Sequence, residues 1–170
     1  MEMREYAKSP ANERTNRRHK EIQVRILQER TWHSKEKPQS SQHQTYSAYN
    51  AIDGNRASYW EKASCTHTNH ELNPWWRLDL GKTHNIFSVK ITNYKNNPLY
   101  INGAEINIGD SLDNDGNNNP RCAVISSMPG GFRETFQCNG MDGRYVNIVI
   151  PGRTGYLALG EVEVYGSRLD

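Results

Sequence analysis

No stretch of this 170-residue sequence approaches the roughly 18 consecutive apolar residues of a membrane helix, which excludes a helical membrane span. Hydrophobic side chains make up only 35% of the chain, leaving little room for helices buried on all sides. The usual catalytic signatures are missing as well. There is no Gly-x-Ser-x-Gly elbow, no phosphate-binding glycine loop and no His-Glu-x-x-His. The carboxylates are scattered, and no pair stands out as a glycosidase dyad. Cys65 and His67 lie two apart, a spacing that rarely aligns a nucleophile with its base. Enzymatic activity is therefore not expected. Cysteine is scarce, at 3 residues, and none of the spacings suits zinc. No Asn-x-Ser/Thr acceptor occurs, and Met1-Glu2-Met3-Arg4-Glu5 has no apolar stretch resembling a secretory leader.

What is present suits one domain of ordinary size with a tail. The formal charge of +2 is unevenly distributed. Residues 1–37 carry 10 Lys/Arg against 6 Asp/Glu, so the tail is net basic and the remainder net acidic. The basic residues alternate with Glu and no aromatic platform accompanies them. This reads as a solvated tail or linker, and nucleic acid is not an expected partner. Within the tail, residues 21–27 read equally well as a helical turn or a strand. From Pro38 the composition changes, which puts the domain at 38–170.

That domain is rich in Gly, Asn, Ser and Tyr, the residues of short strands and turns. Strands are expected at 75–80, 86–92, 104–108, 122–125, 135–138, 145–150 and 157–165. Turn signals separate them, among them Leu80-Gly81-Lys82, Asn96-Asn97-Pro98, Asp115-Gly116-Asn117, Pro129-Gly130-Gly131 and Asp142-Gly143. The run Glu161-Val162-Glu163-Val164-Tyr165 alternates strictly, so one of its faces should be wet. The fold class is all-β, an antiparallel sandwich or jelly roll. Cys122 and Cys138 flank strand-like runs, and a disulfide bridging neighbouring strands competes with two buried thiols. Such a bond would imply an oxidising compartment.

Oxygen donors gather at two places. Asn50, Asp53 and Asn55 lie in and just before a tight turn of the kind that exposes carbonyls, and calcium takes six to eight such oxygens. Asp113-Asn114-Asp115-Gly116-Asn117 superficially resembles an EF-hand loop, but its twelfth position is Val124, where a bidentate Glu is required. Residues 113–120 are expected to form a long polar turn.

Taken in order, several segments resemble the F-type lectins, or fucolectins. They are Gln39-Ser40-Ser41, Ala51-Ile52-Asp53-Gly54-Asn55, Ser64-Cys65-Thr66-His67 and Asn73-Pro74-Trp75-Trp76-Arg77-Leu78-Asp79-Leu80. Ile91-Thr92-Asn93, Asn102-Gly103-Ala104-Glu105-Ile106, Gly143-Arg144-Tyr145-Val146 and Glu161-Val162-Glu163-Val164 continue the match over residues 38–166. The resemblance implies a discoidin-like, galactose-binding-domain-like β-sandwich that holds a sugar in loops at one end, with Ca2+ nearby. The family's calcium ligands fall on Asn50 and Asn55 (carbonyls), Asp53, Ser64 and Glu161. Each of these positions has a suitable oxygen.

The implied sugar site departs from the family's pattern. Fucose-binding members are similar in using a loop His, then an Arg-x-Asp and a further cation. His67 is in place. After 26 intervening residues, Tyr94 occupies the Arg position, Asn96 the Asp position and Tyr100 that of the second cation. Asn97-Pro98 replaces the neighbouring cysteine pair. Charge-assisted hydrogen bonds are worth roughly 1.5–3 kcal/mol each, so the change should cost a normal fucose site several orders of magnitude in affinity. Tyr94 and Tyr100 can instead stack on a sugar and offer hydroxyls, with Trp60 on a nearby loop. Lys95 could replace a cation, although strand alternation turns it to the other face. In the family, the cysteine at Cys65 is typically bridged to the position held here by Gly160, so Cys65 is expected to be free and available as a reactive or intermolecular thiol. Trp75 and Trp76 are expected in packing, and Arg77 with Asp79 in an ion pair or loop anchor.

The sequence therefore predicts a calcium-binding carbohydrate-recognition domain of altered rather than standard fucose specificity. Its expected partners are glycans or a glycoprotein, with homo-oligomerisation left open. Secretion is expected from the resemblance and the cysteines. The alternative is a protein-interaction module on the same fold that binds no sugar.

Overall fold

The computed structural model describes residues 36–59 and 64–169. The proposed tail at 1–37 falls almost entirely outside the described residues, as does the proposed sugar contact Trp60. Among the described residues eight strands form: β1 (Thr66–His67), β2 (Glu71–Leu72), β3 (Trp75–Asn93), β4 (Ala104–Gly109), β5 (Arg121–Ile125), β6 (Arg133–Val149), β7 (Thr154–Gly155) and β8 (Ala158–Arg168). Six of them ladder in the order β1-β8-β3-β6-β4-β5, all antiparallel, while β2 and β7 pair as a separate ribbon.

Two sequence expectations change here. The runs at 75–80 and 86–92 belong to one strand, β3, and those at 135–138 and 145–150 to another, β6. The expected turns at Leu80-Gly81-Lys82 and Asp142-Gly143 are bends within these strands. Pairing between β3 and β6 breaks register between Asp79 and His84 and resumes at His84↔Gly143. Gly81 takes φ +81°, and its N–H donates to Asp79 Oδ1 at 2.8 Å. Gly143 lies so close to β4 that a Cβ there would meet Ile108 Cγ2 at 2.5 Å and the Gly109 nitrogen at 2.7 Å. Gly and Asx side chains satisfy a bulge by the same means as a turn, which is why the sequence reads as a break.

The bends divide the ladder into two half-sheets that enclose the core, the behaviour of strands that pass from one layer of a sandwich to the other. Trp76, Leu78, Ile106, Ile108, Val146 and Ile148 come from one half. Val89, Ile91, Cys138, Val162 and Val164 come from the other. A further bulge between Ile86 and Ser88 shifts the alternation, so that Ile86, Val89 and Ile91 all point inward. The Cys122–Cys138 disulfide forms, but β5 and β6 are not laddered neighbours. It ties the edge strand of one half to a strand of the other.

Trp76 is fully buried and its indole donates to the Ala48 carbonyl at 3.0 Å. Arg77 anchors loops, donating to the carbonyls of Asp115 at 2.6 Å and Lys37 at 2.7 Å. The carboxylate of Asp79 does not pair with Arg77; it takes a two-pronged bond from Arg144, at 2.8 and 3.0 Å. Residues 113–116 form the expected polar turn, with Asn114 and Asp115 in the left-handed region.

Candidate functional site

One end of the sandwich brings together β1, the ends of β3 and β8, and the loops at 39–51, 94–101 and 151–157. His67 lies at the centre. It pairs with Ala158 of β8 and is only 6% exposed. Its Nδ1 lies 2.7 Å from the Thr68 carbonyl oxygen. A neutral imidazole donates its proton there, and Nε2 is then an acceptor. Five rings surround it: His43 at 5.0 Å, Tyr156 at 5.2 Å, Tyr100 at 5.7 Å, and Tyr46 and Tyr94 at 5.9 Å between centroids. The contacts from Tyr94, Tyr100 and Tyr156 are edge-to-face, the geometry aromatic quadrupoles favour.

This packing sets the electrostatics. Burial holds the His67 imidazole below its ordinary value; the Thr68 carbonyl opposes that shift and His43 adds to it. Burial pushes the Tyr94 phenol up to about 12, with Cys65, Tyr46 and Tyr100 adding to it. Tyr94 is 4% exposed and packs with Tyr46, Cys65 and Ala158, with Tyr100 at the margin of that cluster. Tyr100 is half-buried and stacks on Tyr94 with ring planes 12° apart. Asn96 is exposed in the loop before Asn97, whose side chain accepts from Leu99 N–H and so caps the short 3-10 turn Pro98–Ile101. Lys95 lies in the bend after β3 rather than in the strand, and its ammonium sits 4.4 Å from the Tyr59 ring centroid.

Cys65 is free and fully buried, and burial pushes its thiol up to about 11. The expectation of a reactive or intermolecular thiol is corrected: a protonated, enclosed sulfur has no access to a partner. At Gly160, the position facing Cys65 in the family pattern, a Cβ would lie 3.0 Å from both Ser58 Cβ and the Thr92 carbonyl.

The five proposed cation ligands also gather. Glu161 is 2% exposed; its Oε1 accepts the Gly54 N–H at 3.0 Å, and its Oε2 is buried without a hydrogen-bond partner. Burial pushes this carboxyl up to about 8, opposed by the Gly54 N–H and reinforced by Asp53 close by. Asp53 Oδ1 closes the turn on Asn55 N–H at 2.8 Å. The Asn50 amide donates to the Cys65 carbonyl at 3.0 Å, and the neighbouring Ser64 hydroxyl donates to the Tyr59 carbonyl at 3.2 Å. Among the described residues, no group of three or more His, Cys, Asp or Glu side chains is placed to hold a metal. A cation at this turn would rest on two carboxylates completed by hydroxyl and carbonyl oxygens. That is a hard, oxygen-only donor set, and an orphaned buried carboxylate oxygen is what such an ion satisfies. Arg56 secures the turn from the other side through its ion pair with the buried Glu163.

Sequence reasoning missed His43, Tyr46, His70, Arg153 and Tyr156. Arg153 Nη2 donates to the Tyr100 carbonyl at 3.4 Å, and the Tyr156 ring contacts His70 at 4.9 Å and Tyr100 at 5.2 Å. β2 and β7 place His70, Arg153 and Tyr156, but each strand is two residues long, too short to show a periodic signal, and His43 and Tyr46 lie in the irregular loop before the 3-10 turn Ala48–Ala51. A separate cleft of about 340 Å3 is lined by Leu72, Asn73, Trp75, Glu105 and Asp115 among others, and by none of the rings around His67.

A family model described as the NedA-like, galactose-binding domain matches residues 50–148. Fucolectin-1 of Anguilla japonica is 51% identical over 116 residues, covering 67% of this chain and 65% of that protein. The fucolectin of Anguilla anguilla is 50% identical over 119 residues, covering 69% and 75%. The crystal structure of an F-lectin (fucolectin) from the serum of striped bass, Morone saxatilis, superposes with a TM-score of 0.77 at 67% identity. That match covers 78% of this chain and 45% of the bass protein, so the chain spans less than half of its length.

Proposed function

The chain belongs to the fucolectin, or F-type lectin, family, and from that premise we propose that it is a calcium-bound carbohydrate-recognition domain whose sugar seat differs from the standard fucose site. Its role is recognition, not catalysis. The observation that carries the reading is the cage of rings around His67. An imidazole acceptor held in a fixed tautomer, beside tyrosine faces and hydroxyls, offers a sugar both an apolar surface and hydrogen-bond partners. The residues that would receive it are His67, Tyr100 and Asn96. Tyr94, mostly buried, supports Tyr100 from behind. Standard fucose binding is not expected, because neither Tyr94 nor Tyr100 replaces the charge of the family's cations.

The calcium would be held by Asp53, Glu161 and Ser64, with carbonyls of Asn50 and Asn55, and would supply positive charge for the orphaned Glu161 oxygen. Ser64 and His67 belong to one short segment, so order imposed on the turn by an ion reaches the cage through β1. The disulfide supports export to an oxidising compartment. A glycan array probed with calcium and again with chelator tests the reading. Calcium-dependent binding to a subset of terminal sugars is expected. Silence across the array at millimolar site concentration would overturn it.

A further inference from the structure

We infer that Arg153 is the specificity-determining cation of this site, and that the sugar it selects carries an anionic group, a carboxylate or a sulfate. The inference rests on reading the His67 end as a glycan seat. Arg153 immediately precedes β7, whose pairing with β2 sets Thr154 opposite Leu72 and Gly155 opposite Glu71. Its carbonyl accepts the Asn73 N–H at 3.1 Å, while the Gly152 N–H donates to the Asn73 side chain at 2.6 Å. The backbone under Arg153 is therefore held from both sides, and the side chain starts from a defined point.

The guanidinium reaches across to the loop that holds Tyr100. It donates to the Tyr100 carbonyl at 3.4 Å, beside the ring that contacts His67 at 5.7 Å and Tyr156 at 5.2 Å. That long contact engages one of its five donors, and the side chain is exposed. Among the described residues no carboxylate lies within ion-pairing distance of Arg153. The nearby Glu71 of β2 already accepts the hydroxyls of both Ser40 and Ser41. Asp53 and Glu161 face each other at the cation turn. The position where an acidic acceptor would be expected is the neutral Asn96.

A seat for a neutral sugar gains from a carboxylate that accepts hydroxyl protons. This one offers a guanidinium, tyrosine hydroxyls and the imidazoles of His67, His43 and His70. A planar guanidinium with free donors matches a carboxylate or sulfate in two-pronged geometry. The nearby carboxylate, Glu71, is engaged by two seryl hydroxyls, which offsets part of its repulsion toward an anionic substituent.

The test titrates wild type, Arg153→Ala and Arg153→Lys, in calcium and at fixed ionic strength, with sialylated, sulfated and neutral fucosylated oligosaccharides of matched core. Wild type is expected to prefer an anionic glycan over its neutral counterpart at least tenfold. The sialylated and sulfated arms identify which anion is read. Arg153→Ala should weaken that binding on the order of 10- to 100-fold, with Arg153→Lys between, because the charge remains but the fork is lost. The melting temperature of Arg153→Ala should match wild type, since the side chain is exposed, so lost binding cannot be lost folding. Equal binding of neutral and anionic glycans, or full binding by Arg153→Ala, overturns the inference and leaves the lectin reading standing. Failure of wild type to bind any glycan overturns that reading, and this inference falls with it.

Discussion

His67 is held on every side. Its Nδ1 is occupied by the Thr68 carbonyl and its ring is enclosed by five others. Burial is the main force on its titration and disfavours the imidazolium. An NMR pH titration should find its midpoint below that of a free imidazole, and a midpoint at or above the free value would contradict the burial. The stability consequence has a definite sign. With the folded value depressed, the contribution is full above the unfolded value of about 6.5 and is lost as pH falls through the folded one. His67→Gln should therefore flatten the acid side of the curve of melting temperature against pH. At this scale the sequence was informative only where the resemblance pointed to a residue. His67 and Tyr100 are proposed that way, and their rings do lie in contact. Arg153 and Tyr156 were not, because the β2–β7 pairing that brings them in is non-local.

The two bent strands determine how the elements fit. Gly143 lets β6 cross close to β4, and a side chain there meets Ile108 and the Gly109 backbone. Gly143→Ala should cost on the order of 1–3 kcal/mol, the usual range for overpacking a tight core, read as a lower denaturation midpoint. No change would mean that the bend relaxes without resistance. The Cys122–Cys138 bridge spans a sequence separation of 16 and joins the two half-sheets. In the chain-entropy model, replacing both cysteines by serine should remove about 3 kcal/mol, a fall in melting temperature on the order of 10 °C. A shift under a degree or two would show that the staple is redundant. The strand-forming runs were legible in the sequence because β-branched residues cluster in them. That two pairs of runs were each one strand was not, since Asp79, Gly81 and Gly143 serve a bulge as well as they serve a turn.

For the molecule as a whole, the cation turn and the ring cage are two ends of one segment, Ser64 to His67. The resemblance proposes both as sites, and the structure places a buried, unpartnered Glu161 oxygen beside Asp53. Calcium at about 100 times its Kd should stabilise the protein by about 2.7 kcal/mol through mass action. Glu161→Gln should abolish the gain, as followed by thermal melts with and without chelator. An unchanged melting temperature on chelation of the wild type would remove the ion from the account. Whether a glycan seats on the rings around His67 is read by chemical-shift mapping during a glycan titration. Shifts concentrated on His67, Tyr100, Tyr156 and Arg153 are expected. Shifts centred on the separate cleft at Trp75 and Asp115, or none with any glycan that the protein binds, would contradict that seating.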